Sequence, residues 1–429
     1  MQAVKYTVVL FLLALQNNIL FSQTPSTDTL HITLDSAQNM FVRNNLQLLA
    51  QRYNIDVQKA LILQARLYNN PNIALGMGFY NTVSHRFFAT GSGQEGGELI
   101  SQLSQLVILA GKRNKQIKIA EANAKLSEEQ FYDLLRTLKY TLRTDFFNIY
   151  YLQQSAKVYA SEIDGLNNVV RAFDDQKGKG YIAEKEIIRV KAQLYSLLNE
   201  YNDLINQIND TQSELRLVLQ TRPNVYIYPV VDTVHLITLT PHQFSYTALL
   251  DSAYQNRTDL RIARINTDIS KLNYNYQKAL AIPDVTLSFG YDQQGSYINH
   301  FNSLGFSIDI PIFNRNQGNI KSAKANITNN ETLQKSIEAT VEENIYRSLQ
   351  KAIDADKLYK KIETPFAADF SRLTREVLLN YQKRNLSLLE FLDFYDAYKQ
   401  NVLQLNYILY NRVQTLEDIN FYTGTNLFN

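Results

Sequence analysis

Between Leu304 and Gly318 the chain alternates apolar and polar positions and then stops abruptly. Leu304, Phe306, Ile308, Ile310 and Ile312 fall on one side at period two, with Gly305, Ser307, Asp309 and Pro311 on the other. A strand of this kind has one face for an apolar phase and one for water. In a soluble sheet the apolar face meets a core; in a membrane barrel it meets lipid, and the small polar face lines an aqueous lumen. Upstream, Val285, Leu287, Phe289 and Tyr291 alternate with Asp284, Thr286, Ser288 and Gly290, and the polar stretch from Asp292 to Asn299 separates the two runs. The spacing predicts a β-hairpin.

The hairpin has a copy. Asn70-Pro71-Asn72-Ile73-Ala74-Leu75-Gly76-Met77-Gly78-Phe79 repeats the proline, the polar residue and the alternation that begin at Ile282-Pro283-Asp284-Val285. Its second strand, Glu98 to Ala110, is less regular and ends in the turn Gly111-Lys112-Arg113. The likeness extends on both sides. Leu34-Asp35-Ser36-Ala37 opens a helical pattern that Leu250-Asp251-Ser252-Ala253 reproduces, and Ile117, Ala120 and Ala122 match Ile320, Ala323 and Ala325 at one offset. Self-similarity in the order helix, hairpin, helix marks a tandem duplication.

Long helices follow each hairpin. From about Arg113 to Lys177 the apolar positions include Leu135, Leu138, Leu142, Phe146, Ile149, Leu152, Tyr159, Leu166, Val170 and Phe173, a seam of threes and fours without a proline. About 65 residues at a 1.5 Å rise span roughly 100 Å, far more than a bilayer is thick. After Gly178-Lys179-Gly180 a second helix continues the seam through Ile187, Val190, Leu194, Leu197, Leu204, Ile208, Leu215 and Val218, which predicts an antiparallel helical hairpin. The second repeat has the same plan, with helices from about Asn319 to Lys383, kinked at Pro365, and from about Ser387 to Thr415. Thr221 to Phe244 holds Pro223, Pro229 and Pro241 and reads as an extended linker on the outside of the helices.

Composition narrows the setting. The 429 residues are 45% hydrophobic with a net charge of +2, so nothing in the balance points to nucleic acid. There is no cysteine, which excludes disulfides, thiolate metal sites and a lipid-anchored N-terminal cysteine. Residues 1–23 carry Lys5, an apolar run from Thr7 to Leu15 and small polar residues at Ser22 and Gln23, the layout of a secretory signal. No other stretch is long and apolar enough for a membrane helix, so any membrane passage is made by strands. Four strands cannot surround an interior, and open edges are not tolerated in lipid. Several chains must then share one barrel, and three chains give twelve strands.

The duplication, the two hairpins introduced by Pro71-Asn72-Ile73 and Pro283-Asp284-Val285, the Pro311-Ile312-Phe313 to Gly318 segment and the helical hairpins resemble the TolC-type outer membrane efflux channels. The Gly111-Lys112-Arg113 turn is similar to the branch that works with heavy-metal export pumps. The resemblance implies a mainly α fold with membrane β-hairpins: a homotrimer with a twelve-stranded β-barrel, four strands per chain, and a long α-helical periplasmic barrel. The expected organisation is a signal peptide over 1–23, a first repeat over 24–220 with its hairpin at about 72–110 and a tip near 178–186, and an extended linker or equatorial segment over 221–244. A second repeat over 245–416 has its hairpin at about 284–312 and a tip near 381–393, and 417–429 form a C-terminal tail.

The implied function is a passive outer membrane exit duct, fed by an inner-membrane pump of the RND type through a periplasmic adaptor, with heavy-metal cations as a candidate cargo. The same fold serving drug efflux or type I secretion is an alternative, as is a non-conducting periplasmic coiled-coil adaptor. The family's tip pattern places Glu390, Asp393, Tyr381 and Glu186 at a periplasmic constriction, where a three-fold axis turns Glu390 and Asp393 into rings of carboxylates. It places Gly180, Tyr181, Arg384, Asn385, Leu386 and Ser387 at the adaptor-docking tips; Arg384 stands where the family has glycine, and Leu386 where it has arginine. No catalytic constellation, cofactor site or metal-ligand spacing is present. Gly91-Ser92-Gly93-Gln94-Glu95-Gly96 spells a dinucleotide fingerprint, but a strand follows it and no helix N-terminus is there to hold a pyrophosphate. His31, His85, His235, His242 and His300 are scattered, and three methionines make no thioether ladder.

Overall fold

Prolines and caps set where the elements begin and end. The computed structural model describes residues 28–91, 93–178, 182–294, 298–362 and 385–428, with positions 376 and 380. Strand β1 (Asp28–Thr33) leads into α1 (Leu34–Asn44), whose N-cap Thr33 accepts the Ser36 N–H. Then come α2 (Leu46–Arg66), β2 (Asn72–Met77), the short pair β3 (Tyr80–Asn81) and β4 (Arg86–Phe87), and β5 (Leu99–Val107). Helix α3 (Lys112–Lys177) runs unbroken for 66 residues and turns back through α4 (Glu184–Leu219), closed by Gln220 in the left-handed conformation at φ 55°. The chain continues through β6 (Val225–Val230), α5 (Thr233–Thr238), α6 (Tyr246–Asn256), α7 (Thr258–Leu280), β7 (Val285–Asp292), β8 (Phe301–Ile308), α8 (Gln317–Lys361) and α9 (Leu388–Thr423).

The chain divides into two compact units. One comprises 1–45, 141–239 and 357–414, the other 46–140, 240–356 and 415–429. In the first, the core joins Leu166, Val169 and Phe173 of α3 to Ile187, Val190, Leu194 and Leu197 of α4 and to Phe391 and Leu392 of α9. Leu166, Phe173, Ile187, Val190, Leu194 and Leu197 are seam positions, whereas Val169 is buried where the seam had Val170, which is only partly buried; burying each large apolar side chain contributes about 1.5–3 kcal/mol. In the second, the four-stranded antiparallel sheet β2-β5-β7-β8 sits at one end of its helices, and the end of α9 is closed by Asn420. Its amide donates to the Phe428 carbonyl at 2.8 Å and accepts from the Leu427 and Phe428 N–H groups, which seats the buried Phe428.

Four local features differ from the sequence expectation. The helical pattern starting at Leu34 is two helices, broken at Asn45, and its copy is broken at Arg257; both residues adopt extended backbone, and the buried Asn45 amide donates to the Val218 carbonyl. The supposed linker is built: β6 pairs parallel with β1, and α5 follows, capped by Asp232. Gln212 makes this possible, since its amide oxygen accepts the Ile227 N–H at 2.9 Å and its nitrogen donates to the Ile227 carbonyl at 2.6 Å, satisfying the strand's other edge. Strand β8 ends at Ile308 and leaves Ile310 and Ile312 outside it, because Pro311 has no N–H for the ladder and the Ile312 N–H turns back to the Ile310 carbonyl. Finally, α9 passes Thr415 and runs to Thr423. The expected kink at Pro365 lies outside the described residues.

Candidate functional site

The register of the sheet sorts side chains into rungs. Ile73, Leu103, Phe289 and Leu304 stand side by side across all four strands, and the rung four places toward the helices, Val107, Val285 and Ile308, is again apolar. The rungs on either side of the first face the other way: Asn72, Ser104, Ser288 and Gly305 form one, and Ala74, Gln102, Gly290 and Ser303 the other. A Cβ on Gly290 would come within 2.7 Å of Ser303 Oγ, and one on Gly305 within 2.9 Å of Ser288 Oγ, so the small face is also a tight one. The apolar face is bare: Leu304 is 85% exposed and Phe306 75%. Strands β2 and β8 are sheet edges with unpaired backbone. Among the described residues no helix is long and apolar enough to cross a membrane.

At the base of the sheet the two motifs singled out in the sequence meet. Lys112 of the Gly111-Lys112-Arg113 turn places Nζ 2.7 Å from Asp284 Oδ1, and the Leu109 N–H donates to the same oxygen at 2.8 Å. Arg113 caps α2 by donating to the Arg66 carbonyl and lies over the Tyr68 ring at 3.9 Å. The turn requires left-handed backbone at Ala110 and Gly111, φ 56° and 63°. In the second repeat Asn316, also left-handed at φ 59°, donates to the Gln277 carbonyl and so grips α7 as Arg113 grips α2.

At the start of α9, Ser387 and Glu390 form a capping box. The Ser387 N–H and Oγ both donate to Glu390 Oε2 at 2.8 Å, and Ser387 Oγ accepts the Glu390 N–H at 3.3 Å. The backbone and side-chain bonds from Ser387 hold the Glu390 carboxyl below its ordinary range. Phe391 and Leu392 are buried in the core of the helical hairpin, while Glu390 and Asp393 are exposed. Glu186 lies in the first turn of α4, half-buried and next to Ile187 of that same core. All three carboxylates therefore ride on helix turns anchored in one apolar cluster. Leu386 packs against it too, and the Asn385 N–H bonds to the Asn380 carbonyl. Gly180, Tyr181, Tyr381 and Arg384 lie outside the described residues. The α3–α4 end is laced by Lys177–Glu184 at 2.9 Å and Lys191–Asp174 at 3.1 Å.

Behind this tip is a buried polar group that sequence reading did not find. Lys399 Nζ bonds Glu200 Oε2 at 2.8 Å and Asp396 Oδ1 at 3.0 Å, and the Tyr159 hydroxyl donates to the same Glu200 oxygen. Tyr395 donates to the Glu162 carbonyl at 2.8 Å and passes over Gly165, where a Cβ would sit 2.2 Å from its hydroxyl. Burial pushes the Glu162 carboxyl up to about 7, against the opposing pull of Tyr395 and Lys399. Lysine and glutamate at seam positions were the available signal, because an ionisable residue interrupting an apolar seam needs a partner.

The loops beyond the sheet also repeat. The Tyr80 hydroxyl lies 3.0 Å from His85 Nδ1 and the Tyr291 hydroxyl 2.7 Å from His300 Nδ1, with both histidines left-handed. Two of the scattered histidines are thus copies of one turn. The glycine-rich stretch is tied down by Asn81, which donates to the Gln94 carbonyl at 3.0 Å, and by Gln294, which donates to the Gly93 carbonyl at 2.7 Å.

The chain has known counterparts. The family model described as Outer membrane efflux protein matches residues 39–220. The cobalt-zinc-cadmium resistance protein CzcC of Cupriavidus metallidurans is 20% identical over 292 residues, 68% of this chain and 66% of that protein, just under two thirds of its length. The CmeC outer membrane channel of Campylobacter jejuni superposes with a TM-score of 0.74 at 14% identity, over 91% of this chain and 85% of that one. The outer membrane protein VceC of Vibrio cholerae superposes with a TM-score of 0.69 at 15% identity, over 91% of this chain and 96% of that one.

Proposed function

We propose that this chain, whose residues 39–220 match the outer membrane efflux protein model, is the outer membrane channel of a tripartite efflux system, a passive duct that receives its cargo from an inner-membrane pump through a periplasmic adaptor. The observation that carries this is the bare apolar rung Ile73–Leu103–Phe289–Leu304 on a sheet with two open edges. Such a sheet is stable in lipid only when other copies close it, and three copies give a twelve-stranded barrel whose small inner face leaves room for a pore. The helices α3, α4, α8 and α9 form the periplasmic duct. A homotrimer, an adaptor that grips the helical tips around Gly180, Tyr181 and Arg384 to Ser387, and a pump of the RND type complete the assembly.

Divalent metal cations are the cargo class we favour, on the likeness to a cobalt-zinc-cadmium resistance protein. We assign the constriction to Glu186, Tyr381 and, at its centre, the exposed pair Glu390 and Asp393. Their exposure opposite the buried Phe391 and Leu392 supports this. Like charges around a narrow opening raise one another's pKa, and the bonds from Ser387 work in the opposite direction on Glu390. Rings of this charge admit cations and are blocked by a hard trivalent ion. Single-channel recording in a planar bilayer tests the assignment: Glu390→Ala/Asp393→Ala should lose trivalent-cation block and cation selectivity. Unchanged block overturns the gate, and a monomeric mass for the detergent-extracted protein overturns the channel.

A further inference from the structure

A basic cavity of about 550 Å³ opens where the sheet meets the helices, lined by Lys115, Lys118, Lys278, Asn114, Asn275 and Ile282 among others. Among the described residues no Asp or Glu lines it. Its position is fixed by the strands: Ala110 and Gly111 follow β5 after Ile108 and Leu109, and Ile282 precedes β7 by Pro283 and Asp284. Three lysines converge here without a carboxylate to balance them. Lys112 is not among them, since it is buried against Asp284. Lys115 folds over the turn and donates one N–H to the Ala110 carbonyl at 2.7 Å, which holds its ammonium at the mouth with two donors left. Lys278 lies over the Tyr274 ring at 4.5 Å, and Lys118 is exposed.

The rim is apolar on the side of the sheet. Leu109, Leu280 and Ile282 are each more than a third exposed, and the apolar rung Val107–Val285–Ile308, exposed at Val107 and Ile308, lies just beyond. Cations and amides in a cavity, with exposed aliphatic side chains between it and a lipid-facing sheet, match an anionic headgroup whose acyl chains run along the sheet. A lysine near a membrane surface gains about 1 kcal/mol from anionic lipid. We propose that this cavity binds the phosphodiester of an anionic phospholipid in the periplasmic leaflet, one per chain. The site rests on the channel reading, because only that reading puts the base of the sheet at the leaflet.

The test is native mass spectrometry of the full-length protein in detergent, titrated with phosphatidylglycerol or with phosphatidylcholine of the same acyl chains. Native protein should retain phosphatidylglycerol about tenfold better or more, from two or three lysines acting at the surface. Lys118→Gln/Lys278→Gln should lose that preference with its assembly mass unchanged, and Lys118→Arg/Lys278→Arg should keep it. Millimolar inorganic phosphate should not displace the lipid. Equal retention of the two lipids, an unchanged preference in the glutamine variant, or displacement by free phosphate each overturns the lipid site. A monomeric native mass, read from the same spectra without lipid, would instead overturn the channel.

Discussion

The ion pair between Lys112 and Asp284 offers a sharp test, because it joins the two halves of the duplicated chain at the point where the sheet ends. Nζ and Oδ1 are 2.7 Å apart and the lysine side chain is 7% exposed. Asp284 also accepts the Leu109 N–H at 2.8 Å. Asp284→Ala leaves a buried ammonium without its counter-charge, a defect that costs about 3–5 kcal/mol. The orphaned N–H lies within the same defect and is not counted again. Lys112→Met costs less, about 1–3 kcal/mol, because Asp284 is more exposed and keeps the Leu109 bond. The double variant Lys112→Met/Asp284→Leu removes both charges and should return to within about 1 kcal/mol of the native protein. The cycle thus predicts strong coupling between the two sites. Urea unfolding in lipid vesicles, followed by helical circular dichroism because the chain has no tryptophan, gives the four stabilities. A single Asp284→Ala that unfolds within 1 kcal/mol of native, or two single effects that simply add, would refute the assignment of this pair as a buried staple.

Other expectations follow from the same geometry. Leu304→Arg puts a charge on the lipid rung and should cost about 2–4 kcal/mol per chain, seen as loss of the heat-modifiable form on gels, whereas Ser303→Arg on the opposite face should assemble; equal behaviour would reverse the assignment of faces. Gly165→Ala should destabilise by about 1–3 kcal/mol in thermal melts, since its methyl would meet the Tyr395 hydroxyl, and Tyr395→Phe should relieve most of that cost. Glu162, raised to about 7 by burial, binds a proton more readily folded than unfolded, so its contribution is complete below about pH 4.5 and is lost as pH rises through about 7, by about 3 kcal/mol at most. Glu162→Gln should flatten that slope, leaving the part due to Asp145, which burial and Glu214 push up to about 7 as well; an unaltered slope would sink the attribution. Ser387→Ala removes the cap of α9 and should cost about 1 kcal/mol in thermal unfolding.

What the sequence determined by itself is whatever repeats with the period of an element. Alternation at Leu304, Phe306 and Ile308 fixed the faces of β8, because parity along a strand assigns each side chain to a face before any partner is known. The seam of Leu142, Phe146, Ile149, Leu166 and Phe173 fixed the buried stripe of α3 in the same way, and all five are buried. The duplication also came from sequence alone. Period carries environment, but it does not carry partners. That Lys112 finds Asp284, or Gln212 holds Ile227, depends on single side chains meeting across long separations, 175 residues in the case of the Leu109–Asp284 bond. The strand β6 was missed because three prolines outweighed its six-residue pattern, and its ladder with β1 is satisfied from outside by a helix. Glu390 looked like a free carboxylate, and only the fold makes it the partner of Ser387 with Phe391 and Leu392 turned inward. Tertiary structure decided which charges are buried, which are capped and which stay free to act, because desolvation is a property of the packed neighbourhood and not of the residue.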